Sequence, residues 1–510
     1  MTVLLRDTAP AIHPTVGEQA ISARQERLWF WGLAVLAVVL RVLAFNAYSA
    51  HAPDELIQYL EQAHRIVFGY GVVPWEFREF IRSWLIPLML VPPMQLGEWL
   101  DPGGQLYLVL PRAMVATLNF APVLAAWAIG RRISLQHAIV GMAVVAVWME
   151  SVAFSVQTLS ESLGVAAFMT AAALLHPKAK MPAIMAAGAL LALGGLFRFQ
   201  FGPTLAVFGA MMAGKDWRIW KGLIIGGLPV VLGGALIDIA MGLRPYEWIY
   251  TNYRINIVEG KMQEIAGQGH PLTYVALLFQ SWKLAFLALP LLIVAGWRRH
   301  PALVVAALVN VALHQLIQHK EYRYIWLSID ILLLVAAFGS VDLLRIIFRR
   351  GDPARLTGNR VTAALIGGWA IVSALLAGTT THRHDFRYDN DAARAAAAAI
   401  QDPATCGLAV PRRTYWQFGY ALLHADKPVF MIGSDGPVTR SAPGPAAHGF
   451  NRLLSWEKDP PPPAPWIRRS CSGQPLERER SCLYVRPGGC RIDGQNRYLL
   501  FQESLLAEDM

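Results

Sequence analysis

Two clusters of ionisable side chains interrupt an otherwise apolar chain. Between His51 and Pro87 lie the adjacent carboxylates Asp54 and Glu55, three further glutamates (Glu61, Glu76 and Glu79), three arginines (Arg65, Arg78 and Arg82) and Trp75. Far downstream, His319, Lys320 and Arg323 fall within five residues. A carboxylate at a polar edge can take a proton from a hydroxyl within hydrogen-bond reach, and because the transfer can be concerted with attack, no raised pKa is demanded. Imidazole, ammonium and guanidinium together can hold an anion, the planar guanidinium engaging two oxygens at once. The bland alternatives are that Asp54 only caps a helix and that Lys320 and Arg323 snorkel at a helix end.

The elements that must position these residues are membrane spans. A chain of 510 residues that is 55% hydrophobic and only 16% charged belongs to the membrane class. Its net charge of +10 invites a nucleic-acid reading, but Lys and Arg sit in short loops between apolar runs, with no basic stripe interleaved with aromatics. Runs long enough to approach the ~20 residues of a span occur near 28–48, 104–130, 135–155, 160–177, 182–200, 201–214, 222–241, 275–296, 301–317, 324–347 and 361–379, about eleven in all. The first reads as an uncleaved signal anchor behind a polar segment, 1–27. With that segment inside, Arg131/Arg132, Lys178/Lys180, Lys215/Arg218/Lys221, Arg298/Arg299 and Arg345/Arg349/Arg350 all fall in cytoplasmic connections. The loop 49–103, where seven acidic residues outnumber three arginines, then faces outward. The same assignment puts Glu161, Arg198, the loop 242–274 and the 319–323 segment on the external face.

Leu56, Leu60, Ala63 and Val67 recur at helical spacing, which predicts an amphipathic helix after Pro53 lying on the bilayer. Ionisable groups inside spans are costly and read as functional by default. Here they are Arg41, Glu161, Arg198 and Asp238. From residue 380 the composition turns charged and Pro-rich, with an Ala-rich helix near Asp391–Ile400 and strand-like runs at Gly407–Val410, Pro428–Ile432 and Tyr498–Phe501. All four cysteines, Cys406, Cys471, Cys482 and Cys490, lie in this tail without CxxC spacing, so disulfides in an oxidising compartment are expected rather than zinc. The patch His382–Asp385 reads as solvated, and no metal is assigned. No P-loop or Gly-rich strand-to-helix fingerprint supports direct use of ATP or a nucleotide sugar.

His51, Pro53-Asp54-Glu55, Gln58, Glu61, His64, Phe68 to Gly71, Trp75-Glu76, Ile81-Arg82-Ser83 and Pro87 together resemble the first luminal loop of glycosyltransferase family 22. About 265 residues on, His319-Lys320-Glu321-Tyr322-Arg323 is similar to a second signature of that family, whose nearest likeness is the third mannosyltransferase of glycosylphosphatidylinositol-anchor synthesis. The resemblance covers roughly residues 28–345. It implies an all-α polytopic membrane protein of GT-C architecture over 28–379, while the tail 380–510 reads from its composition alone as a small external α/β domain. It further implies inverting transfer of a sugar, mannose above all, from a polyprenyl-phosphate carrier to a lipid-linked or glycolipid acceptor, with no cofactor and no nucleic-acid partner. In that reading Asp54 is the base, with Glu55 as the alternative. His319, Lys320, Arg323 and Arg198 bind the donor phosphate, and Glu161, Trp75, Glu76 and Arg82 line the acceptor side or cavity. The rivals are a transporter or flippase of a lipid-linked sugar, and a GT-C enzyme acting on protein or envelope glycan. High Ala, Arg and Pro point towards a bacterial inner membrane with the site facing the periplasm, the endoplasmic reticulum lumen being the eukaryotic counterpart.

Overall fold

The computed structural model describes residues 23–261, 269–348, 358–379, 391–411, 418–432, 449–472 and 480–490. His382–Asp385, the run Tyr498–Phe501 and most of the segment 1–27 lie outside these residues. The chain divides into two units: one comprises Met1–Phe45 with Val115–Arg387, the other Asn46–Met114 with Tyr388–Met510.

The apolar runs of the sequence are helical, nearly all of them in the first unit, with Leu106–Arg131 beginning in the second. Among the described residues, five helices are long and apolar enough to cross a bilayer alone, at Ala23–Ala44, Leu106–Arg131, Trp217–Ala240, Tyr322–Ile347 and Asn359–Ala377. Two further spans are bent pairs, and Ser160–Leu174, Met181–Phe197, Phe199–Ala213 and Pro301–Leu316 are shorter apolar helices. The helix Tyr322–Ile347 is central, with 83% of its apolar window buried. Its neighbour Ala285–Gly296 approaches through glycine. A Cβ at Gly339 would lie 1.8 Å from the Leu292 carbonyl oxygen, so only a residue without a side chain fits there.

The span Leu135–Val147 plus Met149–Ser155 bends by 63°. A break at membrane depth frees backbone groups that lipid cannot satisfy, and here side chains replace the lost partners. Arg41 donates to the carbonyls of Val145 (3.3 Å) and Ala146 (3.1 Å). Ser373 Oγ accepts from Met149 N and donates to Val147 O, both at 2.8 Å. Arg41 therefore supplies donors to carbonyls at the bend. Asp238 accepts from the Tyr246 backbone N–H (2.8 Å), anchoring the turn after its helix.

In the second unit, Asp54–Leu60 is a π-helix that runs on as an α-helix, Glu61–Phe68, to Gly69 at φ 81°. The expected one-sided amphipathic helix is not what forms. Everything from Asp54 to His64 is buried, polar face included, because each polar side chain there finds a partner. Gln62 donates to the carbonyls of Ile57 (2.9 Å) and Val72 (3.0 Å). Glu61 accepts from the backbone N–H groups of Val72 and Ala421, both at 2.8 Å.

The C-terminal residues of this unit form a helix, Asp391–Gln401, and five strands: β1 Leu408–Pro411, β2 Val429–Ile432, β3 Arg452–Trp456, β4 Ile467–Ser472 and β5 Ser481–Val485. The sheet order is β2-β1-β3-β5-β4, with β1 parallel to both neighbours and β5 antiparallel to both of its own. Alternation along β1 sends Leu408 and Val410 into a core with Ala396, Ile400, Leu454 and Val72, and Ala409 into a second core with Phe430, Phe450 and Tyr484. Val72 belongs to the acidic loop, so loop and sheet share one core. Disulfides join Cys406 to Cys490 and Cys471 to Cys482. Alkylation of unreduced protein followed by mass spectrometry is expected to find none of the four thiols free.

Candidate active site

The two adjacent carboxylates differ in environment. Glu55 is fully buried and held at both oxygens: Oε1 accepts from the His51 backbone N–H (2.8 Å) and Oε2 from Arg112 (3.3 Å). Burial pushes this carboxyl up, but the bonds from His51 and the Arg112 charge outweigh it and leave it below its ordinary value. Glu55 is thus a locked, ionised brace. Asp54, one residue earlier on the helix, keeps a side chain that is 13% exposed. Its Oδ1 accepts from Gln58 Nε2 (3.1 Å), and Arg82 stands 4.0 Å from Oδ2.

Gln58 also donates to Glu76 Oε1 (2.8 Å), bridging the two carboxyls with the two hydrogens of one amide. Burial raises the Glu76 carboxyl, the Arg82 charge opposes that, and the nearby Asp54 charge adds to it. Asp54, Glu76 and Arg82 are brought together. Trp75 sits half-buried at the start of the short helix Trp75–Arg78, immediately before Glu76. Gln58 stands in the loop motif but was given no role from the sequence, although its place four residues after Asp54 on one helix was a usable signal.

The first unit assembles the second cluster. Glu161, fully buried, is paired with Arg198 Nη1 at 2.9 Å and stands 3.6 Å from Arg323 Nε. Ser160 Oγ donates to its other oxygen (3.0 Å). Glu321 is the hub of the motif: it accepts from Arg323 Nε (2.5 Å) and Tyr324 OH (3.0 Å) and lies 2.7 Å from His319 Nε2. Burial alone would raise the Glu321 carboxyl. The Arg323 charge and the bonds from His319 and Arg323 hold it well below the usual carboxylate range. Arg198 also lies over the Tyr324 ring, 4.7 Å from its centroid.

His319, Arg323, Arg198 and Glu161 therefore form one network. Lys320 turns away from it, donating to the helix-end carbonyls of Gln315 (3.1 Å) and Ile317 (2.6 Å). That is the behaviour of a cation completing a helix C-terminus. Tyr322 donates to Glu150, which also accepts from Trp148 and Trp282, both at 3.0 Å. The motif is thereby tied to the bent span.

Glu61 gives a pH prediction. Burial drives its carboxyl from 4.5 up to about 7, against the lowering effect of the Ala421 and Val72 N–H groups. The folded unit then holds a proton that the unfolded chain releases. The stability this adds is complete below about pH 4.5 and is lost as pH rises through about 7. The melting temperature is expected to fall between about pH 5 and about pH 8, and Glu61→Gln to flatten that fall. A melting temperature that rises over this range contradicts the assignment.

A polytopic helical membrane unit joined to a small C-terminal sheet is a GT-C glycosyltransferase architecture. The chain superposes on ArnT from Cupriavidus metallidurans, solved bound to undecaprenyl phosphate, with a TM-score of 0.53 and 14% identity over 80% of this chain and 86% of that one. The chain belongs to the Alg9-like mannosyltransferase family, whose profile matches residues 29–386. Among its relatives, GPI mannosyltransferase 3 of Yarrowia lipolytica is 25% identical over 80% of this chain and 77% of its own. GPI mannosyltransferase 3 of Drosophila melanogaster is 38% identical over 88 residues, a match spanning only 17% of this chain and 16% of the fly protein.

Proposed function

We propose that the protein transfers mannose, with inversion, from a polyprenyl-phosphate carrier to a lipid-linked or glycolipid acceptor. The observation that carries this reading is the separation of Asp54 from Glu55. Of two neighbouring carboxylates, one is sealed against Arg112 and the other keeps an exposed edge beside a polar bridge. Asp54 is then the base that takes the acceptor hydroxyl proton. Arg323 and Arg198, with His319, supply positive charge to a leaving phosphate, while Glu161 and Glu321 fix their orientation. Glu76 and Arg82 shape the surroundings of Asp54. Family membership and the name of the Yarrowia relative support mannose as the sugar, and the undecaprenyl phosphate bound to ArnT is in keeping with a lipid-phosphate carrier.

Purified protein given radiolabelled polyprenyl-phosphate-mannose and extracted lipids is expected to yield a labelled mannolipid. Free mannose alone, or no release, would count against the reading. The protein is an integral membrane protein, and we place the loop 49–103 on the periplasmic side of a bacterial inner membrane. Glu79→Cys, at an exposed position, should react with an impermeant thiol reagent in intact cells. Lys178→Cys, also exposed, should react only after permeabilisation, and the reverse pattern would invert the topology.

A further inference from the structure

The helix Pro301–Leu316, which leads into the His319 motif, carries two polar side chains that the network above does not use. Asn310 and His314 are both fully buried. Their hydrogen-bonding roles follow from their partners. His314 Nδ1 lies 2.9 Å from the Asn310 carbonyl oxygen, which can only accept, so Nδ1 carries the hydrogen and Nε2 is a bare acceptor. Ser328 Oγ spends its single hydrogen on the Ala307 carbonyl (2.8 Å), so Asn310 must approach Ser328 with its NH2 group (2.9 Å). That leaves Asn310 Oδ1 as an acceptor.

Neither Asn310 Oδ1 nor His314 Nε2 meets a donor among the described residues. Each such orphan forfeits a hydrogen bond that water would otherwise supply. Two of them, four residues apart on one helix face, are placed for a ligand that brings hydroxyl groups. The His314 ring sits against Tyr324 and Phe201, at 6.0 and 6.3 Å between centroids. Arg198 lies over both of those rings, so His314 adjoins the cationic network.

We infer that Asn310 Oδ1 and His314 Nε2 form a sugar-reading subsite, accepting hydrogen bonds from hydroxyls of the sugar carried by the polyprenyl phosphate. The inference rests on the proposed donor. A phosphate held at Arg198 and Arg323 carries its sugar on the same phosphorus centre, beside the rings that His314 packs on, with Asn310 about one helical turn earlier. Both acceptors are neutral and contribute nothing to phosphate binding, so they act on the identity of the sugar.

The test uses the full-length enzyme, polyprenyl-phosphate-mannose and its 2-, 3-, 4- and 6-deoxy analogues as donors. Wild type should discriminate against at least one analogue by about tenfold to a hundredfold in kcat/KM, the value of one hydrogen bond to an otherwise orphaned group. His314→Phe keeps the ring and its packing but removes the acceptor. It should lower use of the parent donor and bring the discrimination to within about threefold of unity. His314→Gln, which restores an acceptor oxygen, should recover part of it. Asn310→Leu should erase discrimination at a different hydroxyl, which keeps the test decisive if one variant fails to fold by size-exclusion chromatography.

Unchanged discrimination in folded His314→Phe and Asn310→Leu overturns the subsite and marks the two atoms as hosts of buried water. Absence of any discrimination in wild type overturns it as well. Wild-type protein that binds no polyprenyl-phosphate sugar at all overturns the donor assignment, and the subsite with it.

Discussion

Asp54→Asn protein is expected to fold, to bind the polyprenyl-phosphate sugar as wild type does, and to turn it over about two to four orders of magnitude more slowly. The amide keeps the shape of the side chain and can still accept from Gln58, whose Nε2 reaches Asp54 at 3.1 Å. What it loses is the ability to take a proton. Glu55→Gln should fail differently. Glu55 is fully buried against Arg112, itself 2% exposed, and neutralising it leaves a guanidinium without its counter-ion, a fault that costs about 3–5 kcal/mol. The expected signature is a lowered melting temperature and poor yield, with turnover per folded molecule largely retained. Kinetics and melting curves of the two variants side by side check the assignment. A stable, inactive Glu55→Gln beside a fully active Asp54→Asn would move the base one residue along the chain.

Arg323→Ala should weaken both donor binding and turnover. A charge-assisted hydrogen bond to phosphate is worth about 1.5–3 kcal/mol, which corresponds to a donor KM raised about tenfold to a hundredfold. Turnover falls too, because charge on the leaving phosphate grows in the transition state. Arg198→Ala is expected to follow the same pattern, since it shares Glu161 with Arg323 at 2.9 and 3.6 Å. Glu321→Gln is the informative control. It touches no substrate in this reading, yet it fixes Arg323, His319 and Tyr324 at once. Its kcat should fall more than its donor KM rises. A donor KM unchanged in Arg323→Ala would return that arginine to the role of an ordinary helix-end charge.

Much of the membrane unit was legible because hydrophobic runs of span length have few other solutions in lipid. Each such run is helical, some as two helices with a bend between them, and the Ala-rich helix at Asp391 and the strands around Leu408 and Val429 are present where composition put them. Polar contacts between distant segments were less accessible. Glu161, Arg198 and Arg323 were each visible as unusual residues, but nothing in their local sequence says that one carboxylate lies between two guanidiniums. The same holds for Arg41, which the cost of a buried charge flags as functional by default and which instead satisfies the carbonyls of a broken span. The periodicity after Pro53 identified a helix and misjudged its surroundings. Helical spacing reports which side chains are apolar, and cannot say that Glu61 and Gln62 are also covered when their partners lie elsewhere in the chain.

The shared core of the acidic loop and the C-terminal sheet sets an order of events during synthesis. Glu61 and the Ala421 N–H it holds are separated by 360 positions. At ~5–20 residues per second, the loop bearing Asp54 emerges about 20–70 s before the segment that completes its packing. Throughout that interval Glu61 has its Val72 N–H but lacks the Ala421 N–H, and Val72 lacks the sheet it packs on, while the spans between are being threaded into the bilayer. A nascent chain truncated before β1 should therefore carry inserted spans and a protease-sensitive loop. The unit that carries Asp54 is completed last, so under the role proposed for Asp54 incompletely made copies are expected to be inert.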